Sequence, residues 1–245
     1  MPSMVKQKVS VVIPVLNEID NLPSLIKSIK RDPGVSPEIV VADAGSDDGS
    51  VAFAEREGCR VVQGGIPAVG RNRGASVASH ERIVFLDADV CIRDGFISSC
   101  TRYMRRKGID VGNVWAHLDC RNPVDHMLFE IWNLWAFGMQ KIWPYAGGYC
   151  IFSTRRIHKR VGGFNERMHF TEDANYVKRC SRAGRFAMLP YSISTSNRRF
   201  RTEGRFGLAY KSVSCVLYRL MVGEPENNEF SYEFGTHDVS SRVRK

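Results

Sequence analysis

Four short apolar runs, separated by helical or turn-rich stretches, fill the first hundred residues, and that rhythm leaves few folds open. Val9 to Val15 reads as a buried strand, and Leu22, Leu25, Ile26 and Ile29 then fall on one helical face. Glu38 to Ala42 is a second strand, followed by the turn-rich AGSDDGS and a helix over Val51 to Glu57. Arg60 to Gln63 is a third strand, stopped by Gly64 and Gly65, and Arg82 to Leu86 is a fourth that runs directly into Asp87. Strands alternating with helices at this spacing predict an α/β fold: a mostly parallel sheet covered by helices on both faces. Ligands of such sheets bind beyond the carboxyl ends of the strands, where Asp43 and Asp87 stand.

The pattern changes near residue 108. Val111 to Leu118 reads as another strand, Met127 to Trp143 as an aromatic-rich helix, and Gly147 to Ser153 as a strand; a helix follows Thr171 and another covers 206–222. The expected organisation is one domain over 1–222, whose pattern divides it into a first half at about 8–107 and a second at about 108–222. A polar, loosely held tail occupies 223–245.

Charge narrows the partners. Lys plus Arg number 35 against 26 Asp plus Glu, a net charge of +9, with arginines crowding the second half. A solvated basic surface explains this, and so does an anionic partner, either ligand phosphates or an acidic membrane face. RNA-reading aromatic motifs are absent, so no nucleic acid is expected. Seven scattered cysteines without a CxxC pair argue against disulfides or zinc and for a reducing compartment. The chain enters a strand almost at once and has no stretch of 18 apolar residues, so a cytoplasmic protein is expected, with contact at the inner membrane face left open.

Chemistry concentrates in two segments. IVFLDADV, residues 83–90, delivers Asp87 and Asp89 from a buried strand; at i and i+2 of an extended segment both carboxylates face one ligand. Two hard oxygen donors suit Mg²⁺ or Mn²⁺ shared with substrate phosphates, although an acidic surface turn has the same letters. VVADAGSDDGS, residues 40–50, ends a strand at Asp43 and opens a helix through a Gly/Ser turn. Asp43 is placed to accept hydrogen bonds from a nucleobase or ribose, whereas Asp48 reads as a helix cap.

These segments, together with VSVVIPVLNE, GRNRGA at 70–75, GGYCIFSTRR, VGGFNERMHFTEDANYVKRCSRAG and SNRRFRTEGR, occur in consistent order over roughly residues 8–220 and resemble family 2 of the glycosyltransferases, with its GT-A fold. The resemblance implies an inverting transfer from a UDP- or GDP-sugar, with a divalent metal, to the hydroxyl of a sugar, polysaccharide or lipid-linked acceptor, with 8–107 as the nucleotide-sugar-binding half and 108–222 as the acceptor-binding half. By position, Pro14, Asn17 and Glu18 would line the nucleotide pocket, Asp43 would contact base or ribose, and Arg71 would lie in the loop before the D-x-D strand. Asp87 would face ribose and metal, and Asp89 would be the direct metal ligand. Asp173 would be the general base, with Glu172 and Gly148 on the acceptor side, and Arg198 and Arg199 would approach the diphosphate. Two positions depart from the family pattern: Ala44 replaces a second acid after Asp43, and Asn175 replaces one after Asp173.

The chemistry is self-consistent. A departing diphosphate develops charge that a cation and arginines offset, and inversion requires a base on the opposite face of the sugar. The acids at 172 and 173 would equally suit a helix N-terminus. LFEIWNLWAFGMQKIW, residues 128–143, reads as a buried helix or, with its tryptophans and flanking basic residues, as a seat on a membrane. Two other functions compete, a sugar-1-phosphate nucleotidyltransferase and a non-catalytic basic binding protein. The first would carry a Gly-rich basic loop where this chain has PVLNE.

Overall fold

The computed structural model describes residues 6–119, 123–140, 144, 146–196, 214 and 218. At the centre of its sheet lies β1 (Gln7–Val15), parallel to both β2 (Val35–Asp43) and β4 (Arg82–Leu86), and β3 (Arg60–Gln63) extends the parallel half beyond β2. On the other side of β4 the direction reverses. β7 (Cys150–Thr154) runs antiparallel to β4 and to β6 (Val111–Asp119), β8 (Phe186–Ser196) is parallel to β6, and the short β5 (Val90–Cys91) closes the edge against β8. The order is β3-β2-β1-β4-β7-β6-β8-β5 in one eight-stranded sheet. The α/β expectation holds, with a parallel first half and a mixed second. The reversal has a local cause: the chain approaches β7 from the carboxyl edge, where the Asp87 N–H donates to the Tyr149 carbonyl at 3.1 Å, so β7 must leave in the opposite sense to β4.

Seven consecutive buried residues, Val9–Val15, mark β1 as covered on both faces, as a continuous apolar run predicts. Val9, Val11, Ile13 and Val15 join the layer that includes α1 (Leu22–Arg31) and α4 (Phe96–Lys107). Val12 packs on the other face with α3 (Pro67–Val77), α6 (Arg155–Arg160) and α7 (Glu172–Ala183). Leu22, Leu25, Ile26 and Ile29 of α1 are all fully buried; each contributes about 1.5–3 kcal/mol by leaving water.

Several elements differ from expectation. GRNRGA is not a loop: it is the middle of α3, so Arg71 projects from a helix. Glycines weaken a helix on propensity alone, but here they let it approach the sheet. A Cβ on Gly74 would stand 2.3 Å from Val12 Cγ1, and one on Gly70 would stand 3.3 Å from Pro14 Cβ. Tertiary packing therefore selects the helix. Gly74→Ala is expected to cost about 1–3 kcal/mol through overpacking, read as a lower urea midpoint at unchanged slope. The helix α2 (Ser50–Arg56) begins one residue early, and the aromatic helix α5 occupies Pro123–Met139 rather than 127–143. α4, α6, β5 and β8 were not foreseen. The expected helix over 206–222 lies outside the described residues, apart from single helical positions at Ser214 and Tyr218, and so does the tail over 223–245.

Candidate active site

The carboxyl ends of β1, β2 and β4 share one edge because the strands are parallel; Val15 is in register with Asp43. Two loops meet there and knit together. Asn17, in a left-handed conformation with φ 56°, donates its N–H to Ser46 Oγ at 2.8 Å and accepts the Asp47 N–H at Oδ1 at 2.9 Å. The Glu18 N–H reaches Ser50 Oγ at 3.0 Å, and the Ile19 N–H reaches Asp48 Oδ2 at 2.9 Å. Asp48 also accepts the Ser50 N–H at 2.9 Å, but the cap position of α2 is Gly49, so Asp48 stands one residue before the cap and ties the loops together. Pro14 and Glu18 are buried beneath this surface, which makes them part of the wall.

Asp43 closes β2. Its Oδ2 accepts the N–H groups of Gly45 and Ser46 at 2.9 and 3.0 Å, which sets the turn. Its Oδ1 is buried and has no hydrogen-bond partner among the described residues. An orphaned buried acceptor costs about 1–3 kcal/mol unless a ligand supplies the donor. Ala44 gives its N–H to the Val15 carbonyl at 2.8 Å, joining the ends of β1 and β2 through the backbone.

Beyond β4 the chain does not stay extended. A turn over Ala88 and Asp89 leads into β5, and buried Ala88 separates the two partly exposed carboxylates. The i and i+2 relation thus comes from a turn, not from the alternation of a strand.

Arg71 is the hub. Only 2% of its side chain is exposed, and Nη1 donates to Glu172 Oε1 at 2.7 Å while Nη2 donates to Asp87 Oδ1 at 2.8 Å and to the Gly148 carbonyl at 3.2 Å. The Phe164 ring lies 5.4 Å from the guanidinium carbon. Burial opposes the charge, but Asp87, Glu172 and Asp173 outweigh it and hold the pKa above its ordinary value. Gly148 fits between these groups because it lacks a side chain: a Cβ would stand 2.6 Å from Arg71 Nη2 and 3.2 Å from Asp173 Oδ2.

Asp173 opens α7 behind Thr171, whose φ of 60° is left-handed. Its Oδ1 accepts the Ala174 N–H at 2.6 Å. Burial pushes its carboxyl up to about 7, and Glu172 and Asp87 add to that, against the opposing pull of Arg71 and the Ala174 N–H. Asn175, where the family pattern has an acid, accepts Arg179 Nε at 2.8 Å and is buried. Arg198 and Arg199 lie outside the described residues.

The fold thus brings Asp43, Arg71, Asp87, Gly148, Glu172 and Asp173 to the carboxyl edge or into the cluster beside it. Sequence reasoning missed Phe164, under the guanidinium, and the Tyr149 carbonyl, which fixes the Asp87 backbone. The GGF and GGY strings around them were the available signal. Among the described residues no group of three or more His, Cys, Asp or Glu side chains forms a metal cage. Two carboxylates in a turn fit a hard cation that keeps waters and takes its remaining oxygens from phosphates, and they do not fit a closed structural zinc site.

A sequence model described as Glycosyl transferase family 2 matches residues 10–161. The chain is 27% identical over 219 residues to a pre-mycofactocin glycosyltransferase of Mycobacterium tuberculosis, covering 83% of this chain and 45% of that protein. It is 41% identical over 97 residues to an undecaprenyl-phosphate 4-deoxy-4-formamido-L-arabinose transferase of Pseudomonas paraeruginosa, covering 34% and 28%. The chain spans less than half the length of these relatives. Its fold matches the mannosyltransferase PcManGT of Pyrobaculum calidifontis, solved with GDP-Man and Mn²⁺, at a TM-score of 0.64 and 20% identity over 86% of this chain and 62% of that one.

Proposed function

The chain belongs to glycosyl transferase family 2 and has the GT-A fold, and from that premise we propose that it transfers a sugar from a nucleoside-diphosphate sugar to an acceptor hydroxyl with inversion. One observation carries the reading. Arg71 bonds both Asp87, on the strand end assigned to the donor, and Glu172, the neighbour of the assigned base, so both halves of the reaction converge on one charge cluster. Family membership favours this over nucleotidyl transfer and over a non-catalytic basic protein.

The orphaned Asp43 Oδ1 accepts a donor from the nucleoside; UDP and GDP both supply one. Asp87 and Asp89 would hold Mg²⁺ or Mn²⁺, which would offset negative charge on the departing diphosphate. Arg198 and Arg199, by their place in the family pattern, add positive charge at the same end. Asp173 takes the proton from the acceptor hydroxyl as its oxygen bonds to the anomeric carbon, and the carbon–oxygen bond to the diphosphate breaks with its electron pair leaving on the diphosphate. A carboxyl with a pKa of about 7 is matched to that task near neutrality. Glu172 holds Arg71 while Gly148 leaves room beside the base. The acceptor is a sugar, a polysaccharide or a lipid-linked glycan; the relative named for undecaprenyl phosphate favours the lipid-linked class.

Release of nucleoside diphosphate from UDP- and GDP-sugars with Mn²⁺ tests the reading. The wild type is expected to release one of them slowly. Asp89→Ala is expected to lose roughly 100-fold or more in turnover, together with the metal-dependent part of the donor's thermal shift. Unchanged turnover in Asp89→Ala would remove Asp89 as a metal ligand.

A further inference from the structure

The loop that joins α6 to α7 is held at both ends by side chains. Asn72 Nδ2 donates to the Phe164 carbonyl at 2.9 Å and Asn72 Oδ1 accepts the Phe164 N–H at 2.8 Å, so one amide grips the loop from α3. Arg179 reaches back from α7 and donates to the Val161 and Gly163 carbonyls, each at 2.6 Å. Gly163, with φ 73°, is the residue this grip requires, because a Cβ there would stand 2.4 Å from Asn72 Oδ1. Beside the fixed loop lies a cleft of about 450 Å³, within the ~300–1,000 Å³ usual for small-molecule sites. Asn72, Phe164, Asn165, Glu166, Asn175 and Arg179 stand on its walls.

Three of these side chains have one polar atom spent on the protein and another left over. Asn175, only 8% exposed, accepts Arg179 Nε at Oδ1, and its Nδ2 has no hydrogen-bond partner among the described residues. A buried amide N–H without an acceptor is costly unless a ligand supplies one. Asn165 accepts the Arg167 N–H at Oδ1 and keeps Nδ2, and Glu166 accepts Asn72 Nδ2 at Oε1 and keeps Oε2. Two N–H donors therefore stand with one carboxylate acceptor, a set that matches neighbouring hydroxyls, which accept and donate at once. Arg179 and Glu166 balance in charge, so the cleft suits an uncharged ligand. Phe164 is 2% exposed and offers no apolar platform, so the ligand is hydroxyl-rich and not greasy.

We propose that this cleft binds an uncharged sugar residue through Asn165, Glu166 and Asn175, at a site separate from the transfer centre. At about 100° per residue, Asn175 and Arg179 stand within about 60° of Glu172 on one side of α7, while Asp173 turns about 100° to the other side. Phe164, which lines the cleft, also lies 5.4 Å from the Arg71 guanidinium carbon and so forms the partition. Asn175 is also where this chain departs from the family pattern: an acid there would lack the N–H donor. The sugar site does not depend on the transferase reading.

Titration of the full chain, without nucleotide, with the methyl glycosides of glucose, galactose, mannose and N-acetylglucosamine tests the proposal by NMR. At least one is expected to bind with a dissociation constant on the order of 1 mM. It is expected to shift the side-chain amide signals of Asn165 and Asn175, which are identified by their loss in Asn165→Ala and Asn175→Asp. Asn175→Asp keeps the oxygen that Arg179 bonds and replaces only the donor, so binding is expected to weaken about 10-fold with no fall in melting temperature. Glu166→Gln, which keeps an acceptor for Asn72 and removes the remaining carboxylate oxygen, is expected to weaken binding similarly. Absence of binding by every glycoside at about 100 mM, shifts confined to residues around Asp173, or undiminished affinity in either variant overturns the proposal. Tighter binding of inorganic phosphate than of any glycoside at the same amides also overturns it, because the cleft would then be an anion site. A chain that binds a glycoside here but releases no nucleoside diphosphate keeps this site and loses the transferase reading.

Discussion

Arg71→Met is expected to destabilise the domain by about 3–5 kcal/mol and to abolish transfer, because it leaves Glu172 and Asp87 facing each other and Asp173 with no buried counter-charge. The methionine preserves much of the volume against Phe164, so the loss reports charge and hydrogen bonding rather than a cavity. Urea unfolding reads the stability and nucleoside-diphosphate release reads the activity. Arg71→Lys is expected to recover part of the stability but little activity, since one ammonium cannot bond Glu172, Asp87 and the Gly148 carbonyl in the planar fork that guanidinium provides. A stable Arg71→Met protein would show that the cluster contributes far less than its burial implies.

Asp173→Asn is expected to keep donor binding and lose roughly 10²–10⁴-fold in transfer, as befits removal of a general base. The wild-type rate is expected to rise tenfold per pH unit below about pH 7 and then level off, following ionisation of Asp173. Stability should run the other way. The folded carboxyl holds its proton up to about pH 7, whereas the unfolded one ionises near its ordinary value of 3.8. The folded state therefore binds more protons across that window, and stability falls as pH rises through it. Asparagine cannot ionise, so the variant should be more stable than the wild type above pH 7. Near-normal transfer by Asp173→Asn would move the base elsewhere.

Much of this was legible in the sequence, for identifiable reasons. β1 and α1 could be read because their periodicities are strong: seven buried residues in a row, and four apolar residues on one helical face. Asp43 and Asp87 could be placed because each closes an apolar strand. Arg71 was placed in a loop by the family resemblance; α3 carries Gly70 and Gly74, and only the closeness of Val12 and Pro14 explains why a helix forms there. The ion pair between Arg71 and Glu172 spans about a hundred positions of sequence and depends on the reversal at β7, which no local pattern encodes. The apolar composition of α5 was readable, but the exposure of Met127, Ile131 and Leu134 was not, because it follows from how the helix meets β6 through Asn133 and the Ala116 carbonyl.

The reversal at β7 also shapes how the molecule can diversify. The excursion between β6 and β7 leaves the sheet at Asp119 and re-enters it at Cys150, both at the Asp87 edge, so it behaves as a cassette inserted between two neighbouring strands. Exchanging that cassette for another of different length would reshape the approach to Asp173 while leaving Val15, Asp43 and the parallel strands untouched. On the proposed transferase reading, specificity for the incoming hydroxyl can thus evolve by grafting, with the nucleotide end held constant.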